Sequence, residues 1–141
     1  MDVRQGRLLP RVHVPEEAAV EQILRSEMAE AQEPEALKAQ AILVRSYLRV
    51  SGDRHPHEGY RFCDTTHGQF CAGLMKTGDR FGHAAQDSQG LILTFLGKPF
   101  QPLYTAACGG RTLEGTSGGG QSEGDGDYPY RSVVCNYCAA H

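Results

Sequence analysis

Apolar residues recur at helical spacing twice in the first fifty positions. Ala19, Val20, Ile23 and Leu24 form one stripe, and Leu37, Ala41, Val44 and Leu48 form a second. Each segment therefore predicts an amphipathic helix with one buried face. Both open on the same signal. Pro15-Glu16-Glu17 and Glu33-Pro34-Glu35 put proline at the first helical position and acids at the positive helix end. The first helix is expected to end near Met28–Ala31 and the second at Ser51-Gly52. The second is Ala-rich, so another backbone can approach it closely, and it should be the most buried element.

Beyond the polar turn HPHEG the pattern shortens to strands. Tyr60–Cys63 and Gln69–Ala72 flank DTTHG, and Leu91–Leu96 and Phe100–Ala107 flank Gly97-Lys98-Pro99 as a hairpin. Tyr128–Val134 reads as a final edge strand. Residues 1–14 read as a basic extended arm, 73–83 as loop and Ala84–Ser88 as a helical turn. The Gly-rich, acidic stretch 113–127 is too polar to pack and reads as a flexible loop. The expected fold class is α+β over one domain, residues 1–141, with two helices packed on an antiparallel, partly barrel-like β-sheet.

Composition narrows the partners. Net charge is −3 and no basic run exists, which argues against a nucleic-acid phosphate backbone. No apolar stretch approaches the ~20 residues that span a bilayer. MDVRQGRLLPRVHVP contains no apolar export signal. Five cysteines cannot all pair within one chain, so at least one thiol is free or metal-bound.

Five blocks carry a resemblance: RSEM, EALKAQAILVRSYL, CDTTHGQFCAG, DSQGLILTFLGKPFQPLYTAACGGRT and YPYRSVVCNYC. In order and spacing they resemble the SpoIID/LytB family over roughly residues 16–138, in a chain read as trimmed at both ends. The resemblance implies a bacterial cell-envelope protein, sporulation-linked in some members. Some members are peptidoglycan lytic transglycosylases that leave 1,6-anhydromuramyl ends. Others enhance cell-wall amidases, and a non-catalytic wall-binding module is the alternative from another class. The implied partners are peptidoglycan glycan strands and an amidase, and the chain is expected to be a monomer.

The resemblance makes Glu27, of the triplet Ser26-Glu27-Met28, the catalytic residue. An isolated helix-end Glu is usually a solvated surface residue. At a helix C-terminus, however, the macrodipole disfavours the anion, which suits a general acid. One carboxyl group suffices if the muramyl 6-hydroxyl is the nucleophile. Lys38 and Arg45 share a face of the second helix, as do Gln40 and Tyr47. Each pair reads either as solvated or packing residues or as substrate-binding groups. Gly109 and Gly110 read as a tight turn, as a close approach to a sugar chain, or as both.

No cofactor is required for this chemistry. If a structural zinc is bound, its ligands are expected to be His57, Cys63, His67 and Cys71, brought together by two adjacent turns. The plain alternative is a buried thiol with surface histidines. Cys135 and Cys138 form C-x2-C, weak evidence for zinc by itself. Cys108 could pair with either in an oxidising compartment, stay reduced inside a cell, or act as a nucleophile beside a His base.

Overall fold

The computed structural model describes residues 2–4, 6–28, 33–52, 55–63, 78–105, 107–112 and 132–140. Strands β1 (Asp2–Arg4) and β2 (Arg7–Leu9) precede helices α1 (Glu16–Glu27), α2 (Pro34–Val50) and α3 (Arg80–Asp87). Strands β3 (Thr94–Phe95) and β4 (Lys98–Pro99) follow, then the short helix α4 (Asn136–Ala140). By their contacts the residues divide into two compact units, Met1–Pro102 and Leu103–His141.

The helices start where proline and acid signal it. Glu16 and Glu17 occupy the first turn of α1, and Pro34 opens α2 behind Glu33. Helix α3 is longer than the helical turn expected at Ala84–Ser88, and it begins inside the stretch read as loop. Its start is set by Asp79, whose carboxylate accepts hydrogen bonds from the Phe81 and Gly82 N–H groups at 3.0 and 3.3 Å. That is an N-cap interaction, which satisfies donors the helix leaves unpaired.

The three helices pack on one another. Val20, Ile23 and Leu24 from α1 meet Leu37, Ala41, Val44 and Leu48 from α2 and Phe81, Ala84 and Ala85 from α3, all buried. Burying each larger side chain contributes roughly 1.5–3 kcal/mol. Small residues let the helices close. Ala41 is fully buried, and a Cβ on Gly82 would stand 3.3 Å from the Glu21 carboxyl group. The four apolar positions expected to form the buried stripe of α2 do so.

The sheet expectation needs correction. Among the described residues the antiparallel pairing is there, but as two separate two-stranded hairpins, β1 with β2 and β3 with β4. They do not close into a barrel, and the helices build the core against each other rather than against a sheet. The N-terminal segment doubles back at Gly6 (φ 75°), pairing Asp2 with Leu9, instead of extending as an arm. The second hairpin turns at Leu96-Gly97, and Lys98-Pro99 belong to its return strand. Tyr60–Cys63 lies outside any ladder among the described residues. Gln69–Ala72 and the 113–127 loop fall outside the described residues.

The second unit is held by backbone pairing. Thr112 N–H donates to Val133 O at 3.0 Å, and Cys135 N–H donates to Gly110 O at 2.9 Å, around a bridge between Arg111 and Val134. Of the expected edge strand Tyr128–Val134, the described part, from Ser132, makes this pairing.

Candidate functional site

Glu27 is the last residue of α1, and Met28 leaves the helix in an extended conformation (φ −110°, ψ 137°). The glutamate is exposed. Its carboxylate accepts a hydrogen bond from the Gln40 side-chain amide at 3.2 Å. Gln40 is itself buried, so α2 supplies a fixed donor that aims a solvent-facing carboxylate from α1. The preceding Ser26 hydroxyl returns to the Gln22 carbonyl at 2.8 Å. The sequence placed Glu27 and Gln40 on two different helices, and the structure brings them together.

Arg45 has a different setting from the substrate-binding one proposed for it. It is 0% exposed. Its Nε and Nη2 donate to the two Glu17 carboxylate oxygens at 2.9 and 2.6 Å. Nη1 donates to Leu91 O at 3.0 Å and Nη2 to Ala85 O at 3.1 Å. One guanidinium thus ties α1, α2, the end of α3 and the segment after it. A planar five-donor fork suits that task, and it leaves no face for a sugar. Arg45 is a structural residue, and the substrate-binding expectation is corrected on that ground.

The other candidates divide. Lys38 Nζ stands 2.5 Å from Glu35 on its own helix. That hydrogen bond is the main reason its pKa lies above the ordinary lysine value, although burial opposes the shift. Tyr47 packs against the Phe62 ring, with centroids 6.1 Å apart, at the edge of the core. Gly109 (φ 63°) and Gly110 (φ 95°) form the left-handed turn expected of them, in the second unit.

A polar cluster that sequence reasoning missed joins α1 to α3. Arg25 donates to Glu21 Oε1 at 2.8 Å and forms an ion pair with Asp79, with its guanidinium 5.0 Å from the Phe81 ring centroid. The Arg25 hydrogen bond is the largest cause of an Asp79 pKa below the ordinary value. Burial opposes it, and the N–H groups of Gly82 and Phe81 add to it. The signal available beforehand was the i,i+4 series Glu17, Glu21, Arg25 along one helix face.

Near the expected zinc ligands, His55 Nδ1 lies 2.7 Å from Glu58 Oε2 and its ring packs on Tyr60 at 4.5 Å. Burial lowers its pKa, but Cys63 and Glu58 outweigh that and raise it. His57 is exposed. His67 and Cys71 lie outside the described residues. A recess lined by Gly52, His55, Pro56, Gly59, Tyr60 and Arg61 sits in this turn and includes neither Glu27 nor Gln40.

In the second unit the sulfurs of Cys108, Cys135 and Cys138 lie within 4.8 Å of one another. The Cys135 thiol pKa is lowered, first by the Cys138 N–H and then by the neighbouring thiols. Burial raises that of Cys108.

A family model described as Stage II sporulation protein, SpoIID, matches residues 4–95. No curated protein and no solved structure matches the chain. The matched segment contains α1, α2, α3 and the Glu27–Gln40 pair.

Proposed function

The chain belongs to the SpoIID family, which ties it to sporulation and the cell wall, and from that premise we propose that it is a peptidoglycan lytic transglycosylase with Glu27 as its acid/base. The observation that carries the reading is the Gln40 amide held 3.2 Å from a solvent-facing Glu27 carboxylate. A reactive carboxyl group must reach a long polymer from the surface and still be oriented from behind. In the reaction, protonated Glu27 gives its proton to the glycosidic oxygen as the C1–O bond breaks. The carboxylate then takes the proton of the muramyl 6-hydroxyl as that oxygen bonds to C1. The products are a shortened strand and a 1,6-anhydromuramyl end, and Glu27 is protonated again.

The exposure of Glu27 favours a second reading, in which the domain binds the wall and enhances an amidase without turnover. A general acid in a dry cleft would argue against it, and Glu27 is not so enclosed. Digestion of purified glycan strands by wild type and Glu27→Gln, with mass spectrometry for anhydromuramyl ends, separates the two. The enzyme reading expects product from wild type and a loss of roughly 10²–10⁴-fold in the variant. Equal product from both removes Glu27 from its role. Amidase stimulation without glycan cleavage supports the second reading.

The usual setting of the family supports a cell-envelope location. Among the described residues no helix is long and apolar enough to cross a membrane. Of the expected zinc ligands the described residues hold only His57, which is exposed, and Cys63, fewer than the four a structural zinc takes.

A further inference from the structure

The second unit lacks what holds the first together. None of its described residues is buried, and apolar side chains that could form a core are turned outward, with Val134 56% and Tyr137 72% exposed. Small units without a core usually depend on a disulfide, a metal or a partner. The three cysteines meet where such a staple would act.

Their backbone is arranged for it. Cys108 enters the left-handed Gly109-Gly110 turn, which closes through the Arg111 N–H to the Cys108 carbonyl at 3.4 Å. Cys135 stands just before α4, and Cys138 lies within its first turn. Gly110 also admits α4: a Cβ there would stand 3.3 Å from that of Ala139.

We propose that Cys108, Cys135 and Cys138 bind one zinc ion as a three-thiolate centre that clamps residues 107–112 to residues 132–140. Thiolates on a tetrahedral zinc, at about 2.3 Å from it, stand roughly 3.8 Å apart. Sulfurs already within 4.8 Å therefore need to close by about 1 Å at most. Soft sulfur donors select zinc over magnesium or calcium, which take oxygen. The fourth position is taken by water or another donor. Binding releases the thiol protons to solvent and changes no oxidation state. A disulfide is the competing staple, but it can join only two of the three sulfurs and leaves the third without a purpose.

The test uses the full chain, reduced and handled without oxygen. Cobalt(II) is titrated as a spectroscopic stand-in, then displaced by zinc, and cysteine alkylation is read by mass spectrometry. The proposal expects tetrahedral cobalt bands with sulfur-to-metal charge transfer. Cys108, Cys135 and Cys138 should be protected together by zinc and released by chelator. The signal should be at least tenfold weaker in Cys135→Ser and unchanged in Cys63→Ser, which separates this centre from one beside His55. Amide exchange at Thr112 and Cys135 should slow on adding zinc to the wild type, a readout that needs no variant to fold. Absent charge transfer, protection that follows Cys63 instead, or exchange that zinc leaves unchanged would each overturn the proposal.

Discussion

Helices α1, α2 and α3 bury ten apolar side chains among them, while the described residues after Pro102 bury none. Yet both regions bring distant parts of the chain together. The first does so by excluding water and then fixes its geometry with one buried guanidinium. The second does so through backbone pairing and a knot of thiols. The contrast separates two jobs. A packed helical layer can hold a carboxylate and its amide donor at a defined distance, as Glu27 and Gln40 require. A backbone-paired unit depends on whatever closes it, so its order should follow its ligand rather than its packing.

The largest effect should come from the guanidinium. Arg45→Ala leaves the Glu17 carboxylate and the carbonyls of Ala85 and Leu91 without their donor. Removing one partner of a buried pair costs roughly 3–5 kcal/mol. Urea unfolding should show that loss. A change below about 1 kcal/mol would mean that water replaces the guanidinium and that the site is wetter than its zero exposure indicates.

Next comes the contrast itself. Leu37→Ala in the helical layer should cost roughly 2–5 kcal/mol, because it opens a cavity among close-packed neighbours. Val134→Ser, at an exposed position of the second unit, should stay within about 0.5 kcal/mol. Comparable losses in the two variants would show that Val134 is covered and would erase the distinction.

Asp79→Ala removes both the cap of α3 and the Arg25 partner, and caps contribute about 0.5–2 kcal/mol. The pH dependence has a definite sign. Asp79 has a folded-state pKa below its ordinary value of 3.8, so its contribution is present above that value. It fades as pH falls through the lower folded-state pKa. The stability gap between wild type and variant should therefore be constant near neutrality and shrink in acid below about pH 4. A gap that widens in acid would contradict the ion pair.

Much of the helical layer was legible because its information is local. Leu37, Ala41, Val44 and Leu48 announce their face by spacing, and Pro34 announces the start. The end of α1, expected near Met28–Ala31, lies one residue earlier at Glu27, and Glu27 itself was singled out by the resemblance that Ser26-Glu27-Met28 carries rather than by spacing. Arg45 was misjudged because a cation on a helix normally reaches water. Its burial depends on Glu17 and on two carbonyls far along the chain. The start of α3 was hidden by the glycines at 78 and 82, one of which is the small residue that lets Glu21 fit. The thiol cluster was only half legible. Cys135 and Cys138 are neighbours in sequence, but Cys108 joins them through the pairing of residues 110–112 with 133–135.

The smallest predicted effect tests a hairpin that sits in the first unit but is built like the second. Sequence reasoning put its turn at Gly97-Lys98-Pro99, because those residues favour turns more than Leu96 does. The structure instead gives Leu96 and Gly97 consecutive positive φ values, 50° and 77°. That is the backbone of a two-residue turn whose twist matches the paired strands. Pro99, with its fixed φ, is accommodated in the return strand opposite Thr94. A leucine in this conformation crowds its own backbone, at roughly 1–2 kcal/mol, and Leu96, 79% exposed, recovers little of that by burial. Leu96→Asn should therefore stabilise the protein by about 0.5–1 kcal/mol, since Asn-Gly is the favoured pair for such a turn. Leu96→Val should destabilise it, because a β-branched side chain tolerates positive φ least. Denaturant midpoints with unchanged slopes would read both. A loss of stability in Leu96→Asn would show that the leucine covers an apolar surface, and the hairpin would then belong with the packed helices rather than with backbone-held segments.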